Sequence, residues 1–129
     1  METANFFVKT LQGGPYKNEA SFKRALVKEM RENFTVAEVF EIESEETEKG
    51  FPDLLVINYD SPAVLMELKI TDKDGFVTFQ KTQPLFYKQH HKLTIPILVW
   101  DSQNQKIVIL HKEDVVKMKK LRFKLSEIK

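Results

Sequence analysis

The sequence predicts a single α/β domain. Three observations carry that reading. The chain has 129 residues, a one-domain length with enough material for a real core. Apolar residues recur at helical spacing in the first third of the chain. Several short runs rich in Val, Ile and Leu, bounded by turn residues, have the look of strands. Hydrophobic residues make up 42% and charged residues 30% of the chain, which is the balance of a soluble globular protein. Frequent Phe and scarce Gly argue against disorder.

Residues 1–16 show no clear period, and Gly13-Gly14-Pro15 is a breaker. A helix opens at Lys17 or Asn18 and runs to about Phe34. Phe22, Leu26, Met30 and Phe34, with Ala25 and Val27 beside them, form its apolar face. Glu19 falls in its first turn, where a carboxylate suits the helix dipole. Val36 to Ile42 alternates as VAEVFEI and predicts a strand. The polar stretch ESEETEKG follows, and Gly50 permits a turn. FPDLLVIN is a second strand, Asn58 to Pro62 a turn, and AVLMELKI a third strand. TDKDG is a loop. A helix is expected from about Phe79 to His91, with Pro84 confined to its first turn. IPILVWD and KIVILH are two more strands, joined through Ser102 to Gln105. A short helix over Glu113 to Lys120 closes the order α-β-β-β-α-β-β-α.

Cysteine is absent, which excludes disulfides and cysteine-ligated zinc. No apolar run approaches the roughly 20 residues of a membrane helix. The start METANFFVKT lacks the plan of a signal peptide, so a cytoplasmic location is expected. Net charge is only +1, but it is unevenly spread. Glu38 to Asp60 is acidic, and the chain from Lys106 onward is basic. Such asymmetry marks either a phosphate-facing surface or a solvated helix and tail.

The runs LLVI and VLMEL are nearly continuous, as in strands covered on both faces. An acid inside such a strand is costly unless it is paired, hydrogen-bonded or metal-bound. Glu67 lies between Met66 and Leu68, and Lys69 leaves the same face two residues on. If the hairpin turns near Asp60, facing residue numbers sum to about 120 and Asp53 stands opposite Glu67. Two carboxylates so placed make an oxygen site for a hard cation, Mg²⁺ or Mn²⁺. The same spacing also admits a plain ion pair, Glu67 with Lys69 or Asp53 with Lys69.

Pro52-Asp53 followed by Glu67-Leu68-Lys69 resembles the signature of the PD-(D/E)xK nucleases. Gly50-Phe51-Pro52-Asp53 resembles the G-x-PD segment of VRR-NUC domains and Holliday junction resolvases. Glu19 stands where these families place an additional acid. Gln80 follows the ExK loop and matches their Gln, and nearby Gln83, with Pro84 beside it, is a second candidate for that position. The resemblance covers about Asn18 to Trp100 and implies a restriction-endonuclease-like αβββαβ core with a mixed central sheet flanked by helices. The core would span about 17–111, followed by a basic C-terminal helix and tail at 112–129. The loop Glu43 to Glu48 departs from the family in length and charge.

The resemblance implies a metal-dependent DNA endonuclease, plausibly specific for branched DNA. Asp53, Glu67 and the Leu68 carbonyl would hold Mg²⁺ or Mn²⁺, with Glu19 as an outer ligand. Lys69 would steer the attacking water, and Gln80 would position Lys69, the water or the phosphate. A homodimer is implied by the paired cuts a junction needs. A stand-alone domain also resembles phage-borne members, which would act in the host cytoplasm. Lys81, Gln83, Lys88 and Lys92, with Lys119, Lys120 and Arg122, are candidates for DNA contacts. His90 and His91 do not share a helix face and read as polar surface. His111 is isolated. Phe76, Phe79, Phe86 and Tyr87 read mainly as core, with base stacking the lesser alternative, and Trp100 as packing. Two other functions compete: a sequence-specific restriction-type nuclease, and a non-catalytic binding or inhibitor protein on the same fold.

Overall fold

The computed structural model describes residues 2–3, 16–33, 37–42, 50–58 and 62–128. The Gly13-Gly14-Pro15 breaker, the acidic loop at 43–48 and the turn residues 59–61 lie outside the described residues.

Helix α1 spans Glu19–Asn33. Asn18 and Ser21 cap its start reciprocally: the Ser21 N–H donates to Asn18 Oδ1 at 2.9 Å, and the Asn18 N–H donates to Ser21 Oγ at 3.3 Å. Each bond satisfies a donor the first turn would leave bare. Phe22, Leu26, Val27 and Met30 are buried on its inner side, at the helical spacing the sequence shows.

The main sheet has the order β1-β7-β6-β4-β3-β2. Its strands are β1 (Glu2–Thr3), β2 (Ala37–Glu41), β3 (Leu54–Asn58), β4 (Val64–Ile70), β6 (Pro96–Asp101) and β7 (Lys106–His111). Among the described residues only the β4–β6 pair is parallel, so the sheet is mixed. A parallel pair needs a crossover. Here the crossover carries a short strand β5 (Phe76–Thr78) and helix α2 (Thr82–Gln89).

Alternate residues of the central strands face opposite layers. Leu54, Met66, Leu68, Leu98, Trp100 and Ile107 pack under α1. Ile97, Val99, Val108 and Leu110 pack with Phe86 and Tyr87 of α2 and with Val115 and Phe123. Both faces of β4 and β6 are thus covered, which accounts for their unbroken apolar runs.

Two expectations need correction. The helix expected from Phe79 begins at Thr82 and ends at Gln89. Pro84 is its third residue, within the turn where a missing N–H costs nothing. Phe79 instead leaves β5 in an extended course, its N–H donating to Leu121 O at 2.7 Å. The C-terminal segment is also no free tail. Helix α3 covers Lys112–Met118 and stops where Lys119 turns left-handed at φ 56°. Strand β8 (Arg122–Lys124) then pairs antiparallel with β5, and a 3-10 turn follows at Leu125–Glu127. Lys112 is buried, and its ammonium donates to His90 O at 2.7 Å and to Leu93 O, carbonyls just beyond α2. Among the described residues no helix is long and apolar enough to cross a membrane.

Candidate metal centre

The β3–β4 hairpin pairs Leu54 with Met66, Leu55 with Leu65 and Val56 with Val64. This is the register in which facing numbers sum to 120, and it sets Asp53 opposite Glu67. Asp53 Oδ2 accepts the Leu68 N–H at 3.0 Å, which ties the carboxylate to the neighbouring strand.

The segment before Asp53 is held from the other side. Gly50 has φ +89°, and a Cβ there would lie 2.5 Å from Thr82 O at the start of α2. Only glycine combines that backbone with that approach. Phe51 sets its ring edge against Phe86 of α2, with centroids 5.3 Å apart. Gly50-Phe51-Pro52 is therefore a strap between α2 and β3, and it delivers Asp53 to the centre.

Glu67 and Lys69 leave one face of β4 and are buried, 3% and 5% exposed. Their charged atoms are 4.0 Å apart, so the plain ion pair is a loose contact. Gln83 joins them more closely. Its Nε2 donates to Glu67 Oε1 at 2.7 Å, and its Oε1 accepts from Lys69 Nζ at 2.9 Å and from the Gln80 N–H at 2.8 Å. The Lys69 ammonium also lies 4.9 Å from the centre of the Phe79 ring, within cation–π range.

One oxygen is left over. Glu67 Oε2 is buried with no hydrogen-bond partner, an arrangement that is costly for a charged group. Burial first, and then the Asp53 charge, push the Glu67 carboxyl up to about 9; Lys69 opposes the rise, while a hydrogen bond to Asp53, open to the protonated form, and the Glu19 charge add to it. The gap between Glu67 and Asp53 thus calls for a positive particle, either a proton or a cation. Glu19 stands at the exposed lip on the first turn of α1. Partial loss of solvent raises its carboxyl; Lys69 opposes this, Asp53 adds to it, and the Ile70 N–H also lowers it.

Tyr87 belongs to the same neighbourhood. Its hydroxyl is buried without a partner. Burial raises its pKa, and the charges of Glu67 and Asp53 raise it further. The sequence marks Tyr87 mainly as core, with base stacking the lesser alternative. The signal that would have found it is its position four residues after Gln83, on one face of α2.

The donors fit a hard cation. Two facing carboxylates and a third at the lip all offer oxygen. Among the described residues no three acidic or imidazole groups already converge as a ready ligand cluster. Mg²⁺ needs only one or two carboxylates and keeps its waters.

Other candidates are placed differently. Gln80 is exposed and contributes its main-chain N–H, so Gln83 takes the inward position. Gln83 itself is 6% exposed, which removes it from the surface set for DNA. Arg122 is engaged with Asp72 at 3.0 Å and covers the Phe76 ring. Lys120 pairs with Glu127 at 3.1 Å. Lys92 borders a separate hollow with His91 and His111. The His90 ring packs on Phe86, and Trp100 packs on Tyr16 and Phe22. Neither a protein-family model nor a curated protein matches this sequence.

Proposed function

We propose that this chain is a Mg²⁺- or Mn²⁺-dependent endonuclease that hydrolyses DNA phosphodiesters, with branched DNA as its substrate. The observation that carries the reading is the partnerless, buried Glu67 Oε2 facing Asp53, with Lys69 on the same face. The succession α1-β2-β3-β4-β5-α2-β6, with β5 paired to β8 outside the main sheet, supports a restriction-endonuclease-like αβββαβ core of the PD-(D/E)xK type. Gly50-Phe51-Pro52-Asp53 resembles the matching segment of VRR-NUC and resolvase domains, and that resemblance implies a homodimer.

Asp53 and Glu67 would hold the cation, with the Leu68 carbonyl beside them and Glu19 reaching it through water. When bound, the cation polarises the scissile phosphate and makes a neighbouring water more acidic. Glu67 would have to give up its proton to serve as a ligand. Lys69, fixed by Gln83 and Phe79, directs the water and stabilises charge building on the phosphate. Gln83 keeps Glu67 and Lys69 in register. The Tyr87 hydroxyl is a free donor facing the same carboxylates.

The test is cleavage of junction, flap, single-stranded and linear DNA with Mg²⁺ or Mn²⁺. Asp53→Ala and Lys69→Ala are expected to abolish cleavage and leave the fold intact. Full activity in either variant, or no cleavage of any substrate by the native chain, overturns the proposal.

A further inference from the structure

Helix α2 has two working faces. One carries Gln83 and Tyr87 inward to the carboxylates. The other forms, with α3 and the residues after it, a groove of about 370 Å³. This groove is distinct from the metal centre and lies across the helix from it. Lys81, Lys88, Lys119 and Lys120 stand around it, and Leu85 and Leu121 lie among its apolar lining. Leu85 is 53% exposed and Leu121 42%. Among the described residues no acidic side chain lines it, although Lys120 shares its charge with Glu127.

An apolar floor ringed by cations selects a ligand that is both flat or apolar and anionic. Size narrows the choice. The volume is that of a small-molecule site, whereas a stable protein partner covers roughly 800 Å² of each surface. An amphipathic helix needs anchors over several turns, and α2 and α3 have only 8 and 7 residues. An intact duplex offers phosphates but keeps its bases stacked, so it gains nothing from the leucines. An unpaired nucleotide offers both parts: a base face for the floor and phosphates for the lysines.

We infer that this groove receives an unstacked nucleotide from an unpaired strand of the substrate. The inference rests on the nuclease reading and deepens it: the preferred DNA carries a single-stranded arm. Lys81 directly follows Gln80, whose N–H holds Gln83, so the rim of the groove and the metal centre share the start of α2. The floor has no aromatic ring, so its contribution is smaller than true base stacking.

The test measures binding without cleavage. A fluorescent fork with one unpaired thymidine arm and the same duplex without the arm are titrated with the full chain in EDTA. The comparison variant is Leu85→Ser with Leu121→Ser, both at exposed positions and without change of charge. The native chain is expected to prefer the fork. The variant should lose roughly tenfold on the fork, as loss of apolar contact predicts, and nothing on the duplex. With Mg²⁺ or Mn²⁺ it should raise KM on the fork and leave kcat unchanged. Equal loss on both DNAs, no loss on either, or displacement of the fork by a glutamate-rich peptide overturns the inference. A native chain that binds the fork through the leucines but cleaves nothing sinks the nuclease reading and leaves the groove standing. A chain that cleaves but shows no leucine-dependent preference does the reverse.

Discussion

Replacing Glu67 by Gln keeps the shape of the side chain and removes its charge. In the metal-free fold the Glu67 carboxyl is pushed up to about 9, against an ordinary value of 4.5. The folded chain therefore keeps a proton that the unfolded chain releases. The stability tied to that proton is complete below pH 4.5 and is lost as pH rises toward 9. From pH 4.5 to 7 the difference, at about 1.4 kcal/mol per unit, reaches about 3 kcal/mol at most. Lys69 and relaxation around the carboxylate bring the expected loss to about 1–3 kcal/mol. Asp53 and Glu19 face the same space in both proteins. The quantity to read is therefore the difference between native and Glu67→Gln. Urea unfolding in EDTA at several pH values between 4.5 and 8 measures it. The native protein should lose stability across this range, and Glu67→Gln should gain relative to it by the stated amount. Mn²⁺ at neutral pH should then raise the Tm of the native chain by mass action and leave the variant unmoved. Parallel pH profiles for the two proteins would refute the assignment of a protonated, buried Glu67.

Affinity for Mn²⁺ should climb as pH rises toward 9, because the metal displaces the Glu67 proton; calorimetry with a flat profile speaks against that exchange. Gln83→Ala should lower kcat by about 10- to 100-fold, as loss of a group that orients ligands does, and Gln80→Ala should not; the reverse order restores Gln80. Gly50→Ala should destabilise the fold by about 2 kcal/mol, from positive φ and the clash at Thr82 O, and an unchanged Tm contradicts the strap. Tyr87→Phe should stabilise the metal-free protein by about 1 kcal/mol, since the lost hydroxyl has no partner. A fall in stability would mean that the hydroxyl is bonded.

The central part of this fold was legible because its signals are redundant. The hairpin register followed from one turn position and the alternation of two strands, and Leu54 pairs with Met66 as that arithmetic requires. The apolar runs of β4 and β6 announced two covered faces. The choice between Gln80 and Gln83 was not legible. It depends on where α2 starts, and two residues at the end of a loop decide which Gln points inward. Strands β5 and β8 were missed for a different reason. Each has three residues, too few for a period of two to show. Tyr87 carried no mark of its own, since a buried Tyr at helical spacing reads as core until its hydroxyl is seen to lack a partner.

The pairing of β5 with β8 bears on how the domain may be trimmed. Phe123 of β8 stacks on Phe79 at 5.9 Å and 12°, and Phe79 lies beneath the Lys69 ammonium. Lys112 holds the carbonyls that follow α2, the helix that bears Gln83. A chain cut after His111 would keep every proposed ligand and the whole motif. It would lose the ring that backs Lys69 and the clamp behind Gln83. The last residues thus work as a buttress, and a minimal domain drawn around the motif alone would be a shell with its rear wall removed.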